Sequence, residues 1–80
     1  MLIVYNDCME TNIFGKRLKE LRVQSDLTQD KLANILSIHQ TTISFWEIGT
    51  RDEPGMSSLI ALANYFDVSI DYLVGRTDDY

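Results

Sequence analysis

The side chains best suited to specific recognition lie close together near the middle of the chain. Gln40 carries an amide that donates and accepts at once, which is the pattern that a bidentate contact with adenine requires. The hydroxyls of Thr41 and Ser44 can bond to either base pair, and the Phe45 ring can pack on a thymine methyl group. All four positions fall on one face of a helix. They would also suit an ordinary solvated helix surface, so the surrounding elements must decide between the two interpretations.

The segment that contains these side chains, residues 27–47, predicts two short helices joined by a tight turn. Leu32 and Ala33 fall on the apolar stripe of the first helix, and Ile43 and Trp46 give the second helix an apolar face. Ala33 is small enough for two helices joined by a turn of about three or four residues to cross closely. The second helix of such a helix-turn-helix can lie in the major groove of DNA. The pattern therefore favours a DNA-binding function.

Helical periodicity extends through the rest of the chain and predicts one all-α domain. No alternating stretch is long enough to build a sheet. The predicted divisions are residues 1–10 for an N-terminal arm, 11–75 for the domain and 76–80 for a polar C-terminal tail. The remaining helices are expected from Thr11 or Asn12 to about Ser25, from about Met56 to Phe66, and from a Ser69 cap to Val74.

The charge balance opposes DNA binding. Seven Lys and Arg against twelve Asp and Glu give a net charge of −5, whereas neutralisation of phosphates usually supplies the sequence-independent part of DNA affinity. The field at the contacting face matters more than the sum, however. Much of the acid lies towards the two ends of the chain. Four basic residues lie together in the first predicted helix: Lys16, Arg17, Lys19 and Arg22. Lys31 and Arg51 lie nearer the expected groove.

Several other functional classes receive no support. No apolar run reaches the ~18 residues of a membrane span, and the first residues lack a signal peptide's basic region. Cys8 is the one cysteine and His39 the one histidine, so no tetrahedral metal site is expected. We see no catalytic triad, no paired carboxylates and no phosphate-binding glycine loop. We therefore expect no enzyme, cofactor or metal, and a reducing, cytoplasmic location.

Residues 14–75 resemble the Cro/repressor-type (XRE-like) helix-turn-helix regulators of bacteria and their phages. The motifs that carry the resemblance are FGKRLKELR (14–22), LTQDKLA (27–33), TTISFWE (41–47) and SLIALANYFDVSIDYLVGR (58–76). The resemblance implies a five-helix, lambda-repressor-like domain whose second and third helices form the helix-turn-helix. It also implies a transcriptional regulator, most simply a repressor, that binds a pseudo-palindromic double-stranded DNA operator as a homodimer.

The resemblance further implies roles for particular side chains. Phosphate contacts, aided by helix N-terminal amides, are expected from Gln29, Thr42, Arg51 and Arg17, with His39 as an N-cap or phosphate neighbour. A partly buried ion pair is expected between Arg22 and Glu47, because the planar guanidinium can meet a carboxylate bidentately.

The expected dimer contact lies in the C-terminal part of the domain. Its candidate residues are Phe66, Val68, Ile70 and Tyr72, which are too many apolar groups for one short helix to bury inward. The N-terminal arm, through Leu2–Tyr5, is the alternative: it could pair as a strand across the same axis or fold back on its own domain.

The chain departs from the family pattern in three places. Ser37 stands in the turn where glycine is usual and is expected to adopt φ > 0 or an altered turn. The loop after the third helix is longer, with Arg51–Glu53 in place of a more basic stretch. Phe45 replaces a polar side chain. Because the acidic balance would also suit a basic protein surface, a protein-interaction module (antitoxin-like or anti-repressor) remains the alternative function.

Overall fold

The computed structural model of the protein describes residues 13–49 and 54–80, which form five helices and no strand. The helices are α1 (Ile13–Gln24), α2 (Gln29–Leu36), α3 (Gln40–Ile48), α4 (Met56–Phe66) and α5 (Ile70–Val74). The predicted all-α architecture is confirmed for this part of the chain. The predicted N-terminal arm and the Thr11 or Asn12 cap lie outside the described residues. None of the described helices combines the length and apolar character needed to cross a bilayer.

Each helix contributes one side chain to the centre of a single core. The five with essentially no exposed surface are Leu18, Leu32, Ile43, Leu62 and Leu73. Burying one such side chain contributes roughly 1.5–3 kcal/mol to folding. The core therefore ties every helix to the others, and the helix-turn-helix cannot move independently of α1, α4 and α5.

Side-chain caps define the beginnings of two helices. The Thr28 hydroxyl precedes α2 and accepts a hydrogen bond from the backbone N–H of Lys31 at 3.1 Å. The Ser69 hydroxyl precedes α5 and accepts from the N–H of Tyr72 at 3.0 Å. Each cap satisfies a backbone donor that the first helical turn leaves free, an effect worth about 1 kcal/mol. The predicted Ser69 cap is confirmed.

The turn between α2 and α3 is made by a serine in a left-handed conformation. Ser37 has φ 60° and ψ 42°, which confirms the predicted positive φ. The N–H of Ile38 donates to the carbonyl of Ala33 at 3.0 Å and closes the turn. A residue with a Cβ pays roughly 1–2 kcal/mol for this conformation. Ala33, whose carbonyl accepts this hydrogen bond, is itself buried in the core.

A glycine allows α1 to approach α3 unusually closely. Gly15 is buried in the first turns of α1 and faces the last residues of α3. A Cβ on Gly15 would lie 2.8 Å from the carbonyl oxygen of Glu47 and closer still to that of Trp46. Two backbones therefore touch here without an intervening side chain. Sequence analysis did not single out this contact.

The last residues of the chain are tied to α1 by one guanidinium group. Arg17 donates to the carbonyl oxygens of Tyr72 at 2.5 Å and Thr77 at 2.6 Å, and forms an ion pair with Asp78 at 2.7 Å. The same guanidinium lies 4.2 Å from the centre of the Tyr72 ring. The pKa of the Tyr72 hydroxyl is raised, mainly because the side chain is buried. The ring of Tyr80 packs on Tyr72 at 4.7 Å between centroids. The predicted polar tail thus folds back against the domain.

Candidate nucleic-acid interface

The outer face of α3 carries the four candidate base-reading side chains. Gln40 and Thr41 are exposed in the first turn, and Ser44 is half-buried one turn further on. Phe45 keeps 39% of its surface exposed. The opposite face of α3 is anchored by Ile43 and Trp46 in the core, and Trp46 also meets the Phe14 ring edge-on at 6.0 Å.

The first turns of α2 and α3 are joined by their glutamine side chains. The Nε2 group of Gln40 donates to Oε1 of Gln29. Gln29, which is half-buried, in turn donates from its own Nε2 to Oε1 of Glu47 at 3.0 Å. The exposed Gln40 amide is therefore held by a chain of hydrogen bonds that leads into the protein. The sequence pattern does not predict these bonds, because the side chains that they join lie far apart in the chain. Gln29 and Gln40 are 11 positions apart, and Gln29 and Glu47 are 18 positions apart.

Arg22 and Glu47 form a bidentate ion pair beneath the helix-turn-helix. The Nε and Nη2 groups of Arg22 donate to the Glu47 carboxylate oxygens at 2.7 and 3.1 Å, and Nη1 donates to the carbonyl of Leu27 at 2.8 Å. The side chains retain only 12% and 5% of their exposure. The pair links the end of α1 to the end of α3 and to the segment that enters α2. It thereby sets the position of both helices of the motif.

The beginning of α3 offers unpaired backbone donors to an anion. His39 occupies the N-cap position, but its side chain forms no capping hydrogen bond. The Thr42 N–H donates to the His39 carbonyl at 3.0 Å, which leaves the amides of Gln40 and Thr41 available, and the helix dipole favours a negative charge there. Thr42 lies half-buried in the same turn. This end of α3 can thus bind a phosphate through backbone N–H groups, without a basic side chain.

Of the predicted phosphate contacts, Arg17 lies away from the helix-turn-helix. The Arg17 guanidinium is occupied by Tyr72, Thr77 and Asp78, so it faces the C-terminal residues instead of the helix-turn-helix. Arg51 lies outside the described residues. In the described ranges, the cations without an ion pair are Lys16, Lys19, Lys31 and Arg76.

The candidate dimer residues lie further inside than the sequence suggested. Tyr72 is 8% exposed and belongs to the core. Phe66, Val68 and Ile70 are half-buried and pack against that core. The α5 region thus buries more of its apolar groups inward than we expected, because Tyr72 fills the space beneath Arg17. Large exposed apolar side chains occur on every described helix, and three of them lie on α4: Met56 (65%), Ile60 (46%) and Tyr65 (46%).

Comparisons with known proteins agree with this geometry. A family profile described as helix-turn-helix matches residues 18–73. The chain is 41% identical over 61 residues to the HTH-type transcriptional activator BcrR of Enterococcus faecalis (76% of this chain, 29% of that protein). It is 41% identical over 64 residues to the HTH-type transcriptional regulator ImmR of Bacillus subtilis strain 168 (80% and 50%). It is also similar to the cryptic phage CTXphi transcriptional repressor RstR of Vibrio cholerae, at 30% identity over 66 residues (82% and 59%).

The chain spans between 29% and 59% of the length of these three relatives. All three names denote transcriptional regulators, in agreement with the expectation that the chain is not an enzyme. One relative is named an activator and another a repressor, so the similarity leaves the sign of regulation open.

Proposed function

Since this chain belongs to the Cro/repressor-type helix-turn-helix family, we propose that it binds a specific double-stranded DNA operator and regulates transcription. The observation that carries the proposal is the first turn of α3, where the exposed Gln40 amide is held by Gln29 beside open backbone donors. We propose repression as the simplest mode, because a regulator bound over a promoter blocks access to it. Its place of action would be the cytoplasm, where a bacterial operator lies.

In the proposed complex α3 lies in the major groove with its N-terminal turn against the base edges. Gln40 contacts adenine, the hydroxyls of Thr41 and Ser44 bond to neighbouring bases, and Phe45 packs on a thymine methyl group. An amide held in one orientation loses little conformational freedom on binding, which favours affinity as well as selectivity.

The phosphate contacts of the proposed complex depend little on basic side chains. Gln29 uses one of its two amide hydrogens for Glu47, so the other is available to a phosphate oxygen. Thr42, His39 and the α3 amides supply further donors, and Arg51 adds one cation. We leave Arg17 out of this set, because its donors are used within the domain.

Gln40→Ala is expected to lose discrimination at one operator position while the fold stays intact. A bidentate amide contact with a base is worth roughly 1–3 kcal/mol of discrimination. The operator is first obtained by selection from a random duplex library, and affinities are then measured on duplexes that differ at single positions. Gln24→Ala is the matched control, because Gln24 is an exposed glutamine at the far end of α1. Equal selectivity of Gln40→Ala and the wild-type protein would contradict the proposed docking.

The salt dependence of duplex binding distinguishes the proposed DNA-binding function from the alternative, a protein-interaction module. The logarithm of the association constant should fall with the logarithm of the salt concentration, with a slope that reflects about 4–6 phosphate contacts per dimer. The net charge of −5 is the observation that favours a protein-interaction module instead. A slope near zero, or no selected sequence at all, would support that alternative.

We also propose that the operator-bound form is a homodimer that uses α4. Two recognition helices read a pseudo-palindrome when they lie about 34 Å apart. Met56 and Ile60 are four residues apart on one face of α4, and both are exposed. An isologous contact through this face would cover apolar surface that the domain leaves open. Phe66, Val68 and Ile70, which were expected at the contact, retain partial exposure.

Ile60→Asp is expected to shift the protein towards the monomer and to weaken operator binding at least tenfold, on the order of 1.4 kcal/mol. Ile35→Asp is the matched control, because Ile35 is 44% exposed and Ile60 is 46% exposed. Sedimentation equilibrium with and without operator duplex measures the effect. A dimer that survives Ile60→Asp but is lost when residues 1–9 are deleted would show that the N-terminal arm holds it.

A further inference from the structure

Hydrogen bonds join Glu47, Gln29 and Gln40 in a series that runs from the protein interior to the exposed start of α3. Glu47, with 5% of its side chain exposed, accepts at Oε1 from Nε2 of Gln29 at 3.0 Å. Oε1 of Gln29 then accepts from Nε2 of Gln40. Only the last member of the series lies at the exposed start of α3. The buried carboxylate is therefore connected to the exposed amide through one intervening glutamine.

The chemistry of the first member decides the direction of every bond in the series. A carboxylate carries no hydrogen and can only accept, so Gln29 must turn its NH2 group towards Glu47. The carbonyl oxygen of Gln29 then faces Gln40, and Gln40 must donate an N–H to it. The Arg22 guanidinium reinforces this direction, because its Nε and Nη2 groups donate to the same carboxylate. A reversed series would place the Gln29 carbonyl oxygen against the Glu47 carboxylate, so that two acceptors would face each other without a hydrogen.

We propose that Glu47 is a positioning residue that makes the chain prefer adenine over guanine at the base read by Gln40. The inference rests on the proposed DNA-binding function. With its NH2 turned to Gln29, the Gln40 amide presents its oxygen and one N–H outward, which matches the N6 donor and N7 acceptor of adenine. The reverse orientation would present the NH2 group, which matches the two acceptors of guanine, N7 and O6. Glu47 excludes that orientation without touching DNA.

Glu47→Gln is the direct test, because a glutamine in this place can offer either an oxygen or an NH2 group to Gln29. The probes are the selected operator duplex and its copy with guanine replacing adenine at the position that Gln40→Ala identifies. Wild-type protein should prefer adenine by about 5- to 150-fold, the ratio that a bidentate contact supports. Glu47→Gln should reduce that preference to within about threefold.

Arg22→Lys is the control for a merely structural effect. It disturbs the same ion pair but leaves the Glu47 carboxylate facing Gln29. A positioning role predicts that Arg22→Lys lowers stability and keeps the adenine preference. Equal loss of preference in Arg22→Lys and Glu47→Gln, or full preference in Glu47→Gln, would overturn the inference.

Gln29→Leu keeps the inference testable if Glu47→Gln fails to fold. It interrupts the series without removing either charge of the ion pair, and it should lower the adenine-to-guanine ratio as Glu47→Gln does. Loss of a phosphate contact from Gln29 would weaken both duplexes equally and leave the ratio unchanged. If wild-type protein selects no sequence, the proposed function and this inference fail together. A selected site whose Gln40-dependent position is not adenine overturns the inference alone.

Discussion

Arg22→Met is expected to destabilise the domain by about 3–5 kcal/mol, which is the cost of leaving a buried charge without its partner. The Glu47 side chain is 5% exposed and would lose two of its donors, while the carbonyl of Leu27 would lose its Arg22 contact. A small domain has only about 5–15 kcal/mol of total stability, so the variant should approach the unfolding threshold. Urea denaturation followed by circular dichroism measures the loss.

The double variant Arg22→Met/Glu47→Leu separates the ion pair from its surroundings. Replacing both charges with apolar groups removes the stranded carboxylate, so the combined loss should be much smaller than the sum of the single losses. Lys19→Met is the matched control, because Lys19 lies on the same helix, is exposed and forms no ion pair in the described residues. Additive losses below about 0.5 kcal/mol each would show that the two charges are independent and solvated.

Gly15→Ala is expected to destabilise the fold by about 1–3 kcal/mol, although alanine normally favours a helix over glycine by about 1 kcal/mol. The added Cβ would collide with the carbonyl oxygens of Trp46 and Glu47. These are backbone atoms, so they cannot rotate away as a side chain would. The collision can be relieved only if α1 and α3 move apart. That movement would also displace α3 from its place in the helix-turn-helix.

Gly55→Ala provides the comparison for Gly15→Ala. A Cβ on Gly55 meets nothing within 4 Å, and its φ of −74° suits any residue. We expect its effect on the free energy of unfolding to stay below about 1 kcal/mol. Thermal and urea unfolding of both variants measure the difference. If the two alanine variants were equally stable, the close approach of α1 and α3 would not constrain the fold.

The features that the sequence predicts well are those that depend only on residues within one short segment of the chain. The apolar spacing around Leu32 and Ile43 predicts which face of each helix is buried, and both side chains are fully buried. The caps at Thr28 and Ser69 are equally local, because each bonds to an amide three residues away. Such patterns establish that a helix exists, where it begins and which face turns inward.

Contacts between segments are harder to predict, because a helical pattern does not say what lies opposite. Arg17 belongs to a basic run that suited phosphate contacts, yet its partners lie 55 to 61 residues further along the chain. Tyr72 looked like surplus apolar surface but fills a space beneath that guanidinium. Gly15 carries no local sign of its role, because that role depends on the nearby backbone of α3. In each case the missing information was the identity of the neighbour.

The Arg17 contacts have a consequence for how the domain folds during synthesis. The Arg17 side chain belongs to α1, whereas its acceptors at Thr77 and Asp78 lie about 60 residues later and are made after all five helices. Closing a loop of about 60 residues costs entropy that only a nearly complete core can offset. The ribosome makes the chain from its N-terminus. The Arg17 guanidinium therefore stays solvated until residues 77 and 78 have been made. The contact between α1 and residues 77–78 can therefore form only after all five helices have been made.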